Sequence, residues 1–305
     1  MRHPVLLVIL GLTALSGSAP ALTALAQGNP PGTVTCTSAV GGSSQLAGDL
    51  GRGGGVSWSS VTFGCGVTRQ FVPAFAAGLS LHYDAEDWRI RSAPAFGGLA
   101  PWRSLRRPGV GLNASLAQSH GFAIGVSPTV EWAYDSRAGA GDACTYGAAL
   151  TAVGVFSPVR VLGGGVSVTR QFYSVKTSPF VVVRWRLTDR LRVANAAASG
   201  PLGGAGVELC DAIAPGWEAA VGGVWRSDRW RLAPAGAPAA RVGETSSIPL
   251  LARVTRSLGA GARFDLYAGA AMANRLTLKD DDGRELAHDD YEVVPTFSAT
   301  IAGRF

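Results

Sequence analysis

Three side chains of the types found in a hydrolase relay lie two apart in the stretch LSLHYDA: Ser80, His82 and Asp84. Such a relay needs its groups joined by hydrogen bonds. Residues two apart on a strand share a face but stand about 7 Å apart. The spacing therefore predicts a polar strand face, and no enzyme activity. His120 falls in a tight turn and His288 in an acidic loop, neither with a partner by spacing. The acidic run KDDDGRELAHDD (279–290) invites a calcium-loop reading. With Asp280, Asp282 and Arg284 at the first, third and fifth ligand positions, a cation stands where an oxygen is needed. The glycine also comes before its required position, and no acid reaches the twelfth position. The DG pair predicts an exposed turn instead. The glycine runs LGRGGGVS (50–57) and LGGGVS (162–167) lack a following G-K-[ST] and a βαβ setting, so they do not read as phosphate loops. No C-x-x-C or Cys/His cluster has metal spacing. No metal and no cofactor is expected.

The elements that must position these residues read as strands. The first residues, MRHPVLLVILGLTALSGSAPALTALAQ, carry a basic head, an apolar run and an A-x-A site at Ala24–Ala26. They predict a secretory signal peptide, residues 1–26. Beyond it no stretch approaches the roughly 20 apolar residues of a spanning helix. Yet 47% of the chain is hydrophobic and only 16% charged, against about 25% charged in soluble domains. The apolar content is thus spread out, as in strands with one apolar face. The formal charge of +6 is modest, and no basic run is interleaved with aromatics, so nucleic acid is not an expected partner.

Period-two alternation is the central signal. In GFAIGVSPTVEWAYD, Phe122, Ile124, Val126, Pro128, Val130, Trp132 and Tyr134 share one face, and small or polar residues share the other. This run exceeds the usual 5–6 residues of a soluble strand and suits the roughly 9–11 of a membrane strand. Trp132 and Tyr134 fit an aromatic girdle at the headgroups. Val181, Val183 and Trp185 alternate with Phe180, Val182, Arg184 and Arg186; Ile248, Leu250, Ala252 and Val254 alternate with Pro249, Leu251 and Arg253. Leu79, Leu81 and Tyr83 likewise oppose Ser80, His82 and Asp84. Short connections such as 157–160 and 214–216 alternate with long ones such as 89–108 and 234–246, the barrel pattern of short periplasmic turns and long outer loops. Thirteen strands are read between residues 56 and 305. Since bacterial barrels have even numbers, either TVTCTSAV (33–40) adds a fourteenth or one strand drops out to leave twelve. The segment 27–55 thus holds a candidate first strand and a Gly/Ser-rich loop, and 56–305 the barrel.

Four cysteines in an exported chain predict two disulfides. With fourteen strands, Cys36 and Cys65 lie near the periplasmic ends of adjacent strands and become a candidate pair, which leaves Cys144 with Cys210. The inward set holds the basic residues Arg184, Arg186, Arg192, Arg253, Arg263 and Arg304, and the acids Glu131, Glu208, Glu218 and Asp265. Two readings stand: an ion-paired polar filling, or a basic constriction favouring anions.

The closing PTFSATIAGRF sets Phe297, Ala299, Ile301, Gly303 and Phe305 on one face. Together with the export signal it resembles the C-terminal insertion signature of Gram-negative outer-membrane β-barrels, carried by Phe297, Ile301 and Phe305. The resemblance implies an all-β antiparallel transmembrane barrel of 12–14 strands in the outer membrane. It also implies contact with outer-membrane lipid and with the barrel-assembly machinery through the last strand. The stretches GGGVSVTRQF, SPFVVVRWRLTDRLRV, GAGVELCDAIAPGWEAAVGGVWRSDRWRL and LTLKDDDGREL resemble, over about residues 145–305, a family of uncharacterised outer-membrane barrels. That resemblance brings no catalytic residues. The expected function is a passive channel for small solutes. The alternatives are a structural barrel with a plugged lumen and, further off, a lipid-modifying enzyme.

Overall fold

A computed structural model describes residues 30–118, 121–203, 205–233 and 240–305. The signal-peptide reading and His120 lie outside them. The described residues form one antiparallel sheet of seventeen strand segments in chain order: β1 (Val34–Asp49), β2 (Gly55–Val72), β3 (Phe75–Arg91), β4 (Ser104–Gln118), β5 (Phe122–Trp132), β6 (Tyr134–Asp135), β7 (Cys144–Ser157), β8 (Arg160–Gln171), β9 (Ser174–Arg186), β10 (Leu191–Asn195), β11 (Val207–Ala214), β12 (Trp217–Gly223), β13 (Arg226–Arg231), β14 (Val242–Gly259), β15 (Ala262–Lys279), β16 (Glu285–Tyr291) and β17 (Val294–Arg304). Three consecutive pairs, β5–β6, β12–β13 and β16–β17, are single staves interrupted by an irregularity. The count is therefore fourteen staves, and 33–40 does belong to the first of them.

The sheet closes on itself. β1 pairs with β17 from Thr37 opposite Arg304 to Gln45 opposite Thr296. The last residue takes part, for the Phe305 N–H donates to the Cys36 carbonyl and the Cys36 N–H to the Phe305 carbonyl, each at 2.9 Å. In hydrocarbon every backbone group needs a partner, and an unpaired one costs several kcal/mol. Closure is the only arrangement that leaves no edge.

The alternation of the sequence becomes the two faces of the wall. Ile124, Val126, Leu79, Leu81, Tyr83, Leu250, Val254, Phe297 and Ile301 stand exposed on the outside, while Ala123, Ser127, Leu251, Arg253, Thr296, Ser298 and Thr300 are buried inside. At the end with short turns, the periplasmic end of such barrels, Phe71, Phe75, Phe122, Phe156, Trp185, Trp217 and Phe305 make an aromatic belt. Arginines lean on it: Arg160 lies 4.8 Å from the Trp185 ring centre and Arg256 4.9 Å from that of Trp217. Each guanidinium reaches the headgroup layer while its stem covers the ring.

At the other end the staves rise past the apolar belt and fold together. Outward positions there turn polar, as at Asp87 and Arg89 on β3. Inside, Val56, Trp88, Trp102, Leu105, Trp230, Leu276, Leu278 and Tyr291 form one buried apolar core. The connection after β3 tucks Phe96 and Trp102 into it, with Trp102 edge-on to Trp88 at 5.9 Å. β13 leans across the mouth to β6, where the Arg231 N–H donates to the Ala133 carbonyl at 2.8 Å. Burial pushes the Tyr291 phenol up to about 12, so it stays neutral as it accepts from Gln45. The outer mouth is closed by this core.

The disulfide expectation is corrected, since all four cysteines are free. The β1–β2 register sets Cys36 opposite Val67 and Cys65 opposite Ser38. That diagonal offset places them about 7–8 Å apart, beyond the usual span of a disulfide. Cys144 sits exposed at the outer end of β7, and Cys210 is buried in the lumen.

Deleting Phe305 removes two closing hydrogen bonds and one belt ring. The expected outcome is loss of most of the heat-modifiable, membrane-inserted species on semi-native electrophoresis.

Candidate functional site

Two charged networks and one inward loop shape the lumen. The first network centres on Arg253 of β14, whose guanidinium Nη2 donates to Glu208 Oε2 at 2.7 Å and to Glu218 Oε1 at 2.9 Å. Its Nη1 lies 3.4 Å from Asp265 Oδ1, and Thr255 donates to the same oxygen. Arg192 pairs with Glu218, and Arg263 Nε lies 3.2 Å from Asp265 Oδ2. That last pair meets the distance for an ion pair but not the angle for a hydrogen bond, so both atoms remain without hydrogen-bond partners. Three guanidiniums thus face three carboxylates. A glycine makes the room: a side chain at Gly222 would lie 2.7 Å from Glu208 Cγ.

The structure gathers Arg192, Arg253 and Arg263 into this network and leaves out the other arginines of the basic set. Arg184 is half-buried on β9, and Arg186 and Arg304 are exposed at the periplasmic rim. Among the described residues no ring of unpaired arginines lines the lumen.

The second network lies nearer the outer mouth. Asp228 of β13 accepts from Arg107 of β4 at 2.9 Å and from Arg226 at 3.2 Å. Arg107 stacks 4.2 Å from the Trp230 ring centre. Glu86 accepts from the Trp88 indole at 2.9 Å. His82 Nε2 is 3.3 Å from Glu131 Oε1 across Gly109, where an added Cβ would strike the imidazole at 2.1 Å. Ser80 donates to the Gly111 carbonyl instead of meeting His82. Ser80, His82 and Asp84 therefore form no relay. Sequence reasoning placed Glu131 inside but missed Glu86, Arg107, Arg226 and Asp228 as partners, because they come from staves far apart in the chain. The inward parity of residues 226, 228 and 230 was the available signal.

Residues 196–203, after β10, turn into the barrel. Ala196 and Leu202 pack on Leu251 and Tyr267. Gly200 passes so close to the Tyr267 hydroxyl that a Cβ would lie 2.4 Å from it. Arg226 donates to the Pro201 carbonyl at 3.4 Å. Ala198 and Ser199 reach a space also lined by Ser43, Thr62, Ser298 and Thr300 of the opposite wall. Below the loop a cavity of about 450 Å³ runs to the periplasmic rim, lined by Thr35, Thr37, Thr68, Gln70, Asn113 and Arg263. Above it lies a smaller cavity of about 130 Å³, next to the second network. Of the acidic 279–290 segment only residues 280–284 form a turn, with Asp280 Oδ1 accepting from the Asp282 and Arg284 amides at 3.0 and 2.8 Å, and 285–290, His288 among them, run on in β16. Among the described residues no His, Cys, Asp and Glu group has metal-holding geometry.

The fold and lumen define a transmembrane β-barrel of the outer-membrane type. No family model and no curated protein sequence matches the chain. Among solved structures, an outer membrane channel from Pseudomonas putida F1 is similar at 7% identity, covering 91% of this chain and 97% of that one, with a TM-score of 0.45. A Pseudomonas aeruginosa FadL homologue is similar at 11% identity, 96% of each chain and a TM-score of 0.40. The translocator domain of the autotransporter NalP from Neisseria meningitidis is similar at 12% identity, 94% and 93% coverage and a TM-score of 0.36. Likeness at this level carries nothing about solute or activity.

Replacing Arg253 with Met leaves three carboxylates, two of them buried, short of a cation. The expected loss is about 3–5 kcal/mol, read as a lower unfolding midpoint in detergent. The double variant Arg253→Met/Glu208→Gln recovers part of it.

Proposed function

We propose that the chain is a passive channel for small solutes in the outer membrane of a Gram-negative bacterium. The cavity below the inward loop carries this reading. A barrel that served only as wall or anchor has no need of an unfilled cavity of about 450 Å³ reaching the periplasmic rim. Residues 196–203 form the constriction, held by packing and by a hydrogen bond from Arg226. The paired arginines favour a nearly neutral passage over an anion filter, with Arg184 and Arg186 as the remaining basic influence near its inner end. Membership in a family of uncharacterised barrels, export through residues 1–26, and recognition by the assembly machinery through Phe297, Ile301 and Phe305 belong to the same proposal. So does the absence of enzyme activity, which the divergent partners of Ser80 and His82 support. A second reading, a scaffold barrel with a blocked lumen, is favoured by the apolar core over the outer mouth.

Planar-bilayer recordings separate the two. The native protein is expected to show small conductance steps, and deletion of residues 197–203 to enlarge them several-fold. No steps in either form would sink the channel and leave the scaffold. An Arg184→Glu/Arg186→Glu variant is expected to move selectivity toward cations.

A further inference from the structure

Two staves are too short to complete the wall. β10 has 5 residues and β11 has 8, where a strand crossing hydrocarbon needs about 9–11. Their neighbours β9 and β12–β13 continue beyond them toward the outside. On β9 the odd-numbered residues aim their backbone groups at β10, as the Leu187 N–H does in donating to the Leu191 carbonyl at 2.8 Å. β10 ends at Asn195, and the Asn195 side chain substitutes for one more residue of strand. Its Oδ1 accepts from the Val183 N–H at 2.8 Å, and its Nδ2 donates to the Val181 carbonyl at 3.0 Å. The next residue aimed that way is Pro179, which has no N–H to leave unpaired. Proline inside a strand belongs at an edge. The amide cap and the missing donor thus finish part of the break, while the same parity aims the Val181 and Thr177 N–H groups at it.

The break lies at lipid depth. Val175 and Val181, which flank it outside, are 58% and 43% exposed. Near its outer end, among the described residues, side chains cross it: Arg229 donates to Ser174 at 2.8 Å, and the Lys176 ammonium lies 5.3 Å from the Trp225 ring centre. Unpaired backbone at this depth is tolerated where it lines a cavity or is buried in protein. Behind the periplasmic foot of the break the lumen wall is apolar, while Lys176 and the buried Ser178, Ser167 and Thr151 stand behind its outer part. Phe180 and Val182 of β9 pack with Val161, Val153 and Ala123 of the next three staves. The Phe180 ring lies over Gly165, where a Cβ would be 2.4 Å from it. Arg184, opposite Val161 in the register, stands at the periplasmic end of this lane, and Lys176 stands beyond its outer end.

We propose that the seam between β9 and β12–β13 is a lateral port, through which a small uncharged apolar molecule passes between the bilayer and the lumen. The port deepens the channel reading and rests on it for the far end of the path, the cavity at the periplasmic rim. It also accounts for a mouth closed by a hydrophobic core, because the solute does not enter there.

The test uses the full chain in proteoliposomes and a small aryl diazirine dissolved in the bilayer, with labelled residues mapped by mass spectrometry after illumination. The expected result is labelling of the inward Phe180 and Val182 at least about threefold above the inward Ser298 and Thr300 of the intact wall, falling off toward Val153 and Val161. Trp225→Ala is expected to raise the Phe180 signal. Labelling confined to outward residues, or a gradient rising toward the periplasmic end, would overturn the port. Conductance of the same preparation reads the channel separately. Seam labelling without conductance keeps the port and rejects the ion-conducting channel; conductance without seam labelling does the reverse.

Discussion

Backbone pairing in a solvent that offers no hydrogen bonds governs this structure. Hydrocarbon forces each amide and carbonyl to find a partner within the wall, so the first stave must meet the last. The meeting extends to the final residue, through the mutual bonds of Cys36 and Phe305. Where the wall departs from this rule, beyond Asn195, the departure is small and chemically managed. One side-chain amide and one proline leave fewer unpaired groups than a bare strand end would. The same requirement explains why β1, β2, β14 and β15 can run to 16 or 18 residues. Outside the lipid they are free to bend, pair irregularly and build a core.

Charge inside the barrel obeys a parallel rule. A guanidinium withdrawn from water must be matched by carboxylates and hydrogen bonds to be tolerated. Arg253 meets Glu208, Glu218 and Asp265, each from a different stave. Such a hub ties β11, β12, β14 and β15 together from within, just where the short β10 and β11 offer the least ladder. The inward loop leans on this reinforced side through Leu202, Leu251 and Tyr267.

Much of the architecture was legible because a strand has a period of two and lipid reads it strictly. Val181, Val183 and Trp185 face out, and Phe180, Val182 and Arg184 face in, as their alternation predicts. The residues of TVTCTSAV proved decisive for the count, since their pairing with β17 makes fourteen staves. Less legible was everything that depends on registers between staves. The offset of Cys36 from Cys65 by two positions follows from the β1–β2 register, which spacing alone does not give. Inward arginines were visible as a set, but their pairing required knowing which acids stand on neighbouring staves. Trp102 and Trp230 lie in stretches that read as a long connection and a strand end, with no pattern to announce a common core. Asn195 and Pro179 are ordinary residues until one sees that each marks where pairing stops.

The core over the outer mouth draws on distant parts of the chain. Val56 comes from near its beginning, Trp102 and Trp230 from its middle, and Leu276, Leu278 and Tyr291 from near its end. No partial set of staves can assemble it. The cap therefore works as a clasp that fastens only when the last stave has arrived, and its strength comes from excluding water, not from contact with lipid. In that sense the molecule has two solvents and two kinds of cohesion: a wall held by pairing in the bilayer, and a lid held by hydrophobic packing above it.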